Sequence, residues 1–156
     1  MNPLKKILRF LLKFFGIILL LLFLLSLIFL WRIRIPSPDV NGKLTPASYQ
    51  RKQISENHFQ VNNCWLKKNK FSVWEMYLEG EPYERGIIYG VLAKELMEKQ
   101  EEVFVHQINE IVPNKFYQFF LKLFVAWFNK DIYKYIPEEN LQEIYGVSLS
   151  FSDKFD

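Results

Sequence analysis

The sequence predicts an α+β domain that is tethered by a single transmembrane helix near the N-terminus. Residues 14–31 (FFGIILLLLFLLSLIFLW) carry no charge, and a helix of that length is about 27 Å long, close to the hydrocarbon thickness of a bilayer. Strand-like runs follow it, and then segments with helical spacing. The 156 residues leave room for one domain beside the helix.

The charges beside this run predict its orientation. Its basic flanks are Lys5, Lys6, Arg9 and Lys13 before it, and Arg32 and Arg34 after it. The excess of positive charge on the N-terminal side favours a cytoplasmic N-terminus and an extracytoplasmic domain. The predicted divisions are a basic tail at 1–13, the anchor at 14–31, a stalk at 32–56 and the domain at 57–156.

A cleaved signal peptide is the competing interpretation of the run. Its apolar region would be about 7 to 15 residues long and would end in small residues at a cleavage site. Here the run is longer and ends in FLWRIRIP. A retained anchor, with the lipid bilayer as its partner, is therefore the favoured prediction.

The composition excludes several classes of function. Six of the 20 basic residues lie in the flanks, which leaves 14 against 17 acidic residues, so no surface for nucleic acid is expected. The single cysteine, Cys64, excludes an intrachain disulfide and a cysteine metal cluster. The sequence also has no phosphate loop, dinucleotide fingerprint or serine elbow. No cofactor and no metal are predicted.

The segment after the anchor predicts a stalk and then a β-hairpin. Residues 35–56 hold three prolines, a glycine and few large apolar residues, which is typical of a stalk. Residues 58–66 and 71–79 have strand character, and residues 67–70 (KKNK) between them predict a tight turn.

Three helical segments follow the hairpin. From 83 to about 112, apolar residues recur along one helical face, with Gln100, Glu101 and Glu102 in its solvated middle. Residues 116–128 (FYQFFLKLFVAWF) are too few to span a bilayer. We favour a helix buried in a core there, and the alternative is an interfacial helix that lies on the membrane. A proline-led helix is predicted over 137–146.

Residues 80–90 (GEPYERGIIYG) are more specific than a generic strand-to-helix turn. Gly80 permits a sharp exit from the strand, and Gly86 and Gly90 expose a smooth helical stripe that another backbone can approach closely. The run resembles the opening motif of the acyl-coenzyme A:6-aminopenicillanic-acid acyltransferase family, a branch of the N-terminal-nucleophile hydrolases. The motif positions are Gly80, Pro82, Tyr83, Glu84, Gly86 and Gly90.

A second stretch is similar to the same family. Residues 137–146 (PEENLQEIYG) resemble its proline-led helix at Pro137, Glu143 and Gly146. The order and separation of the two stretches also agree with the family, and the resemblance covers residues 71–156.

The resemblance implies a four-layer αββα sandwich, of which a hairpin and two to four helices would be present. It also implies catalysis by a cysteine that becomes a new N-terminus after self-cleavage and uses its own α-amino group as base, so that an acyl group is transferred or an amide hydrolysed. In the family this cysteine follows the proline-led helix, whereas here no cysteine follows Cys64. We therefore expect this chain alone to be inactive, with no catalytic residue of its own and a missing C-terminal catalytic portion as its partner.

The other candidate residues have plainer interpretations. Cys64 precedes the motif, so a half-buried strand residue is favoured over a self-cleaving nucleophile. His58 would lie about 20 Å from Cys64 along one strand, too far for a catalytic dyad. His106 lies between Glu102 and Glu110 on one helical face, which favours a solvated charged stripe over a metal site.

The predicted function is thus that of the membrane-anchored N-terminal portion of a cysteine N-terminal-nucleophile acyltransferase or amidohydrolase. The rival prediction is a non-enzymatic single-pass membrane protein that binds a partner through residues 116–128. On the enzyme interpretation, this aromatic segment is exposed in the chain as given. On the rival interpretation, it packs against the hairpin and the long helix in a closed domain.

Overall fold

One long N-terminal helix precedes an antiparallel sheet and a set of helices in the computed structural model, which describes residues 3–40 and 44–151. The α-helices are α1 Pro3–Arg32, α2 Pro82–Leu92, α3 Lys94–Ile111, α4 Lys115–Asn129 and α5 Glu138–Ser148. The strands are β1 Lys52–Ser55, β2 His58–Val61, β3 Cys64–Lys68 and β4 Trp74–Tyr77, and short 3-10 helices lie at Pro46–Ser48 and Ile132–Tyr135. The predicted α+β class is confirmed.

Helix α1 contains the apolar run. Within the described residues it is the one helix long and apolar enough to cross a membrane, over Arg9–Arg32. No part of its most apolar window is buried against the rest of the described structure. Within the described residues, most of its apolar side chains are therefore left uncovered by the rest of the fold.

The four strands form a meander in the order β1-β2-β3-β4 with antiparallel neighbours. The predicted single strand over 58–66 is wrong, because the chain reverses at Asn62 and Asn63, and Val61 pairs with Cys64. Asn62 has a φ of 51°. Asparagine tolerates this left-handed conformation, which two-residue hairpin turns require.

The turn predicted at 67–70 begins two residues later than expected. Lys67 and Lys68 belong to β3, and Asn69 starts the reversal. The Asn69 side-chain oxygen accepts hydrogen bonds from the backbone N–H groups of Phe71 and Val73, at 2.9 and 3.1 Å. Such hydrogen bonds from the backbone to an asparagine side chain mimic the backbone hydrogen bond of a regular turn.

The predicted stalk contacts the domain instead of only leading away from it. Lys52–Ser55 pairs with β2 as an edge strand, although all four of its residues are exposed. This pairing escaped the sequence analysis because it uses backbone hydrogen bonds and needs no apolar pattern. Further back, the carbonyl of Leu44 accepts a hydrogen bond from the Tyr83 hydroxyl at 2.8 Å.

The core lies between one face of the sheet and the helices α2 and α3. Its buried members are Val61, Cys64 and Leu66 from the sheet and Ile88, Leu92, Ala93 and Met97 from the helices. The opposite sheet face carries Trp65 and Tyr77, whose rings stack at 6.3 Å, and the Tyr77 side chain is exposed. The described structure is therefore two layers deep at the sheet, with helices on one side.

The single helix predicted from 83 to about 112 is two helices. Ala93 ends α2 and begins α3 with a φ of −97° and a ψ of 13°, outside the helical region. Nothing in the local sequence predicts this break, because alanine is the best helix former. Ala93, Met97 and Glu101 follow at four-residue spacing on the face toward the core, and Glu101 is buried, so its predicted solvation is wrong.

Two helical predictions have opposite outcomes. The helix predicted over 137–146 is confirmed as α5, with Pro137 directly before its first residue. The favoured prediction that residues 116–128 are buried is wrong, because none of the described side chains of α4 is buried. The apolar composition of α4 predicts a core helix, but the described residues supply no second layer to cover it.

Candidate functional site

Helices α2 and α5 cross with their backbones in contact at Gly86 and Gly146. A Cβ added to Gly86 would lie 2.9 Å from the carbonyl carbon of Glu143 and 3.0 Å from the Cα of Gly146. A Cβ added to Gly146 would lie 2.9 Å from the backbone nitrogen of Ile87. Only glycine permits such an approach. The two stretches that carry the family resemblance therefore meet through their glycines.

Gly90 extends this contact toward the end of α5. A Cβ there would lie 2.6 Å from the Cβ of Ser150 and 3.6 Å from the carbonyl oxygen of Val147. Gly86 and Gly90 thus form the smooth stripe that the sequence predicted, and α5 is the backbone that approaches it. We refer to this contact, formed by Gly86, Gly90 and Gly146, as the glycine crossing.

An aromatic pair and an ion pair flank the glycine crossing. The rings of Tyr83 and Tyr145 stack at 5.9 Å between centroids. The Arg85 guanidinium donates to the Glu143 carboxylate at 2.7 Å and to the Gly80 carbonyl at 3.2 Å. The hydrogen bond that the guanidinium donates to Glu143 raises the pKa of Arg85, which therefore stays charged. The motif residue Glu143 acts in this structure as the partner of Arg85, a residue that the sequence analysis did not select.

The corner before α2 is built by Gly80, Pro82 and Glu84. Gly80 has a φ of +111°, which L-residues rarely adopt, and Pro82 is the first residue of α2. The Glu84 carboxylate accepts a hydrogen bond from the Tyr49 hydroxyl at 3.0 Å. Burial, followed by that hydrogen bond, raises the pKa of Tyr49 to about 12. The motif carboxylate thus fastens the segment before β1 to the start of α2.

Tyr49 could not be predicted as a site residue, because it lies among polar and proline residues that predict a stalk. The available signal was an isolated aromatic residue in that stretch. Tyr83 makes a parallel contact, since its hydroxyl reaches the Leu44 carbonyl, and burial raises its pKa. The hydroxyls of Tyr49 and Tyr83 therefore join the segment before β1 to helix α2.

Cys64 is a core residue in this structure. Its side chain is 1% exposed, and its sulfur accepts from the Glu79 backbone N–H at 3.4 Å. His58 lies on the neighbouring strand β2, not on the strand of Cys64. The predicted separation of about 20 Å is wrong, because the turn at 62–63 folds the two strands together and leaves three residue positions, about 10 Å, between them. The thiol is not exposed, and residues 3–40 and 44–151 place no base beside it, whereas a nucleophile requires both exposure and a base.

His106 and its neighbours form an exposed stripe on α3. The His106 Nε2 atom lies 3.3 Å from the Glu110 carboxylate, and both side chains are largely exposed. Over residues 3–40 and 44–151, no group of three or more His, Cys, Asp or Glu side chains is placed to hold a metal ion.

A cavity of about 490 Å³ lies beside Gly90 and is lined in part by Arg51, Lys94 and Ser150. The Arg51 guanidinium contacts the Glu95 carboxylate through Nη1 at 2.6 and 2.7 Å. Within the described residues, the buried Nε and Nη2 of Arg51 and the buried Oγ of Ser150 have no hydrogen-bond partner. Arg51 and Ser150 therefore place polar groups in this wall of the cavity, next to the glycine crossing.

Comparisons with protein-family models, with curated proteins and with solved structures gave no match to the chain. The resemblance to the acyltransferase family thus rests on the residues of the two motif stretches and stays a prediction.

The glycine crossing predicts that a single added methyl group lowers the stability of the fold. We expect Gly86→Ala to lower the free energy of unfolding by about 1–3 kcal/mol, because the added Cβ would meet the α5 backbone. Gly16→Ala is the matched control, since nothing lies within 4 Å of a Cβ at that position. Denaturant titration of the full chain in detergent micelles, followed by tryptophan fluorescence, measures both. Equal stability of the two variants would contradict the close packing of α2 and α5.

The hydrogen bond between Tyr49 and Glu84 predicts a pH dependence at the alkaline end. The folded-state pKa of about 12 lies above the ordinary 10.0. The stability contributed by the neutral hydroxyl is therefore complete below pH 10 and is lost as the pH rises toward 12. We expect the wild type to exceed Tyr49→Phe in melting temperature at pH 8 and the difference to shrink above pH 10. Tyr135→Phe, at an exposed ring, is the control. A difference that does not change with pH would refute the assignment.

Proposed function

We propose that the chain is the membrane-anchored N-terminal portion of a cysteine N-terminal-nucleophile acyltransferase or amidohydrolase. The observation that carries the proposal is the glycine crossing, because the two stretches that resemble the family contact each other through motif glycines. The glycines at motif positions in both stretches are the residues that allow the two helices to approach so closely.

The exposed side of the sheet supports the same proposal. A four-layer sandwich has helices outside and two sheets packed face to face inside. Here helices cover one sheet face, and the other face presents Trp65 and Tyr77. That face is where the second sheet of such a sandwich would pack.

In the chemistry of such an enzyme, this chain has a structural role and not a catalytic one. The α-amino group of the cysteine takes the thiol proton as the sulfur attacks the amide carbonyl, and an acyl thioester forms as the amine leaves with that proton. Water or an acceptor amine then takes the acyl group. Cys64 is unsuited to this role because it is buried in the core between β3 and α2. The nucleophile therefore comes from polypeptide outside the described residues, and this chain contributes the tether and a helix layer.

Helix α1 is proposed as the retained tether, with its N-terminus in the cytoplasm. Its apolar window is wholly exposed in the described structure, which suits contact with lipid. Its last residue, Arg32, reaches Asp131 beyond α4, at 3.4 Å. The helix thus remains connected to the domain by more than the backbone.

The rival function, a non-enzymatic protein with a closed helical domain, requires α4 to pack against the sheet and α3. The exposed side chains along α4 count against that closed domain. The exposure of α4 leaves open a binding role for this helix, but not a self-contained core built around it.

Reporter fusions test whether α1 crosses the membrane with the domain outside the cytoplasm. We expect alkaline phosphatase fused after Phe151 to be active in a bacterial host and green fluorescent protein at the same point to be dark, because the positive-inside rule places the domain outside. The whole chain should resist extraction by alkaline carbonate. As a control, glutamine at Lys5, Lys6, Arg9 and Lys13 together removes the basic flank and should weaken or invert the orientation. A wild-type chain released by carbonate would contradict the tether.

Purification from native membranes tests the enzyme. The chain, tagged at its cytoplasmic N-terminus and extracted in mild detergent, should bring with it a polypeptide whose first residue is a cysteine. The purified material should hydrolyse or transfer acyl groups on an acyl-amide panel and lose that activity after thiol alkylation. Cys64→Ala is the matched control and should leave the activity unchanged. Activity that disappears with Cys64→Ala in a folded protein, or no N-terminal cysteine and no turnover, would refute the proposal.

A further inference from the structure

Helix α4 is apolar around most of its circumference. Its polar residues are Lys115, Gln118, Lys122 and Asn129. At about 100° per residue these four lie within an arc of about 60°. The remaining surface is formed by Phe116, Tyr117, Phe119, Phe120, Leu121, Leu123, Phe124, Val125, Ala126, Trp127 and Phe128.

This apolar surface is uncovered in the described structure. Phe120, Phe124 and Phe128 are 51%, 60% and 66% exposed. A contiguous aromatic surface of this kind marks an interaction site in a folded protein. The helix is about 22 Å long, which is too short to cross a bilayer.

The contacts of α4 place it beside the outer end of α1. The Trp127 ring stacks on Phe29 at 5.4 Å with only 9° between the ring planes. Phe29 lies in the last turn of the apolar run, and tryptophan is enriched at the depth where a bilayer meets water. Trp127 and Phe120 are seven residues apart and so share one helical face. The face that touches α1 is thus the apolar face, not the polar stripe.

The residues next to this contact form a basic cluster. Asp131 lies 2.7 Å from Lys134, 3.4 Å from Arg32 and 3.6 Å from Lys130. The Lys134 ammonium, by its hydrogen bond, holds the pKa of Asp131 below its usual range, so the carboxylate is charged. One negative charge among these three positive charges leaves the junction positive. Positive side chains at a membrane surface are attracted to anionic lipid headgroups.

We infer that α4 lies in the headgroup boundary of the same bilayer that α1 crosses, with its apolar face in the acyl chains and its polar stripe toward water. The inference rests on the proposed tether, because the depth of α4 in the bilayer is inferred from its contact with Phe29 of α1. Lipid is the occupant that these observations favour, since the apolar face joins the lipid-facing surface of α1 directly and its cationic border suits phosphate headgroups. A second copy or another polypeptide would have to cover the face at the depth of the acyl chains.

Spin labels on the full chain measure this arrangement. Cysteines are introduced singly, in a Cys64→Ala background, at Phe120 on the apolar face, at Lys122 on the polar stripe and at Leu22 within α1. The labelled proteins are reconstituted in vesicles of phosphatidylcholine with one quarter phosphatidylglycerol. Oxygen, which partitions into lipid, and a water-soluble nickel chelate then report where each label lies.

We expect Phe120→Cys to collide more with oxygen than with nickel, and Lys122→Cys to show the reverse ratio. Phe116→Cys repeats the first result at a second position of the same face. If Leu22→Cys reports lipid while Phe120→Cys reports water, the tether stands and the inference about α4 is wrong. If Leu22→Cys also reports water, the tether itself fails. A Phe120→Cys label shielded from both reagents is covered by protein, either a second copy or a further segment, and this too overturns the inference.

Discussion

The packing of the helix layer depends on one constraint, the contact between the backbones of α2 and α5 at Gly86 and Gly146. Backbones come this close only where neither residue has a side chain. The contact joins segments some sixty positions apart, and it aligns the Tyr83–Tyr145 and Arg85–Glu143 pairs on either side. Because α2 also forms one wall of the sheet core, the position of α5 relative to the sheet follows from the same contact.

Sequence patterns located the parts of the fold that depend on composition and on residues with special backbone freedom. The apolar run of α1, the proline starts of α2 and α5 and the glycine stripe all have direct chemical signatures. The tight turn at 62–63 was missed because two asparagines inside a strand-like run carry a weaker signal than a glycine. The break at Ala93 has no local signature, since packing of α2 and α3 on the sheet imposes it.

The candidate site was predictable in its glycines and not in its polar contacts. The glycines could be predicted from the sequence because a residue without a side chain allows another backbone to approach closely. They are Gly86, Gly90 and Gly146. The partners Tyr49 and Arg85 could not be selected, because hydrogen bonds between residues far apart in sequence leave no periodic pattern. The burial of α4 could not be predicted for a related reason. An apolar composition shows that a surface is unfavourable in water, but it does not show whether protein or lipid covers that surface.

The stacking of Trp127 on Phe29, together with the pairing of Asp131 and Arg32, bears on how the domain can move. A domain held by one helix and a flexible connector can swivel about the membrane normal and tip over a wide cone. A second point of attachment beside the first removes most of that rotation. If α1 crosses a membrane as proposed, the sheet would then keep a constant height and orientation above it, and whatever packs on the face of Trp65 and Tyr77 would be held in that same orientation.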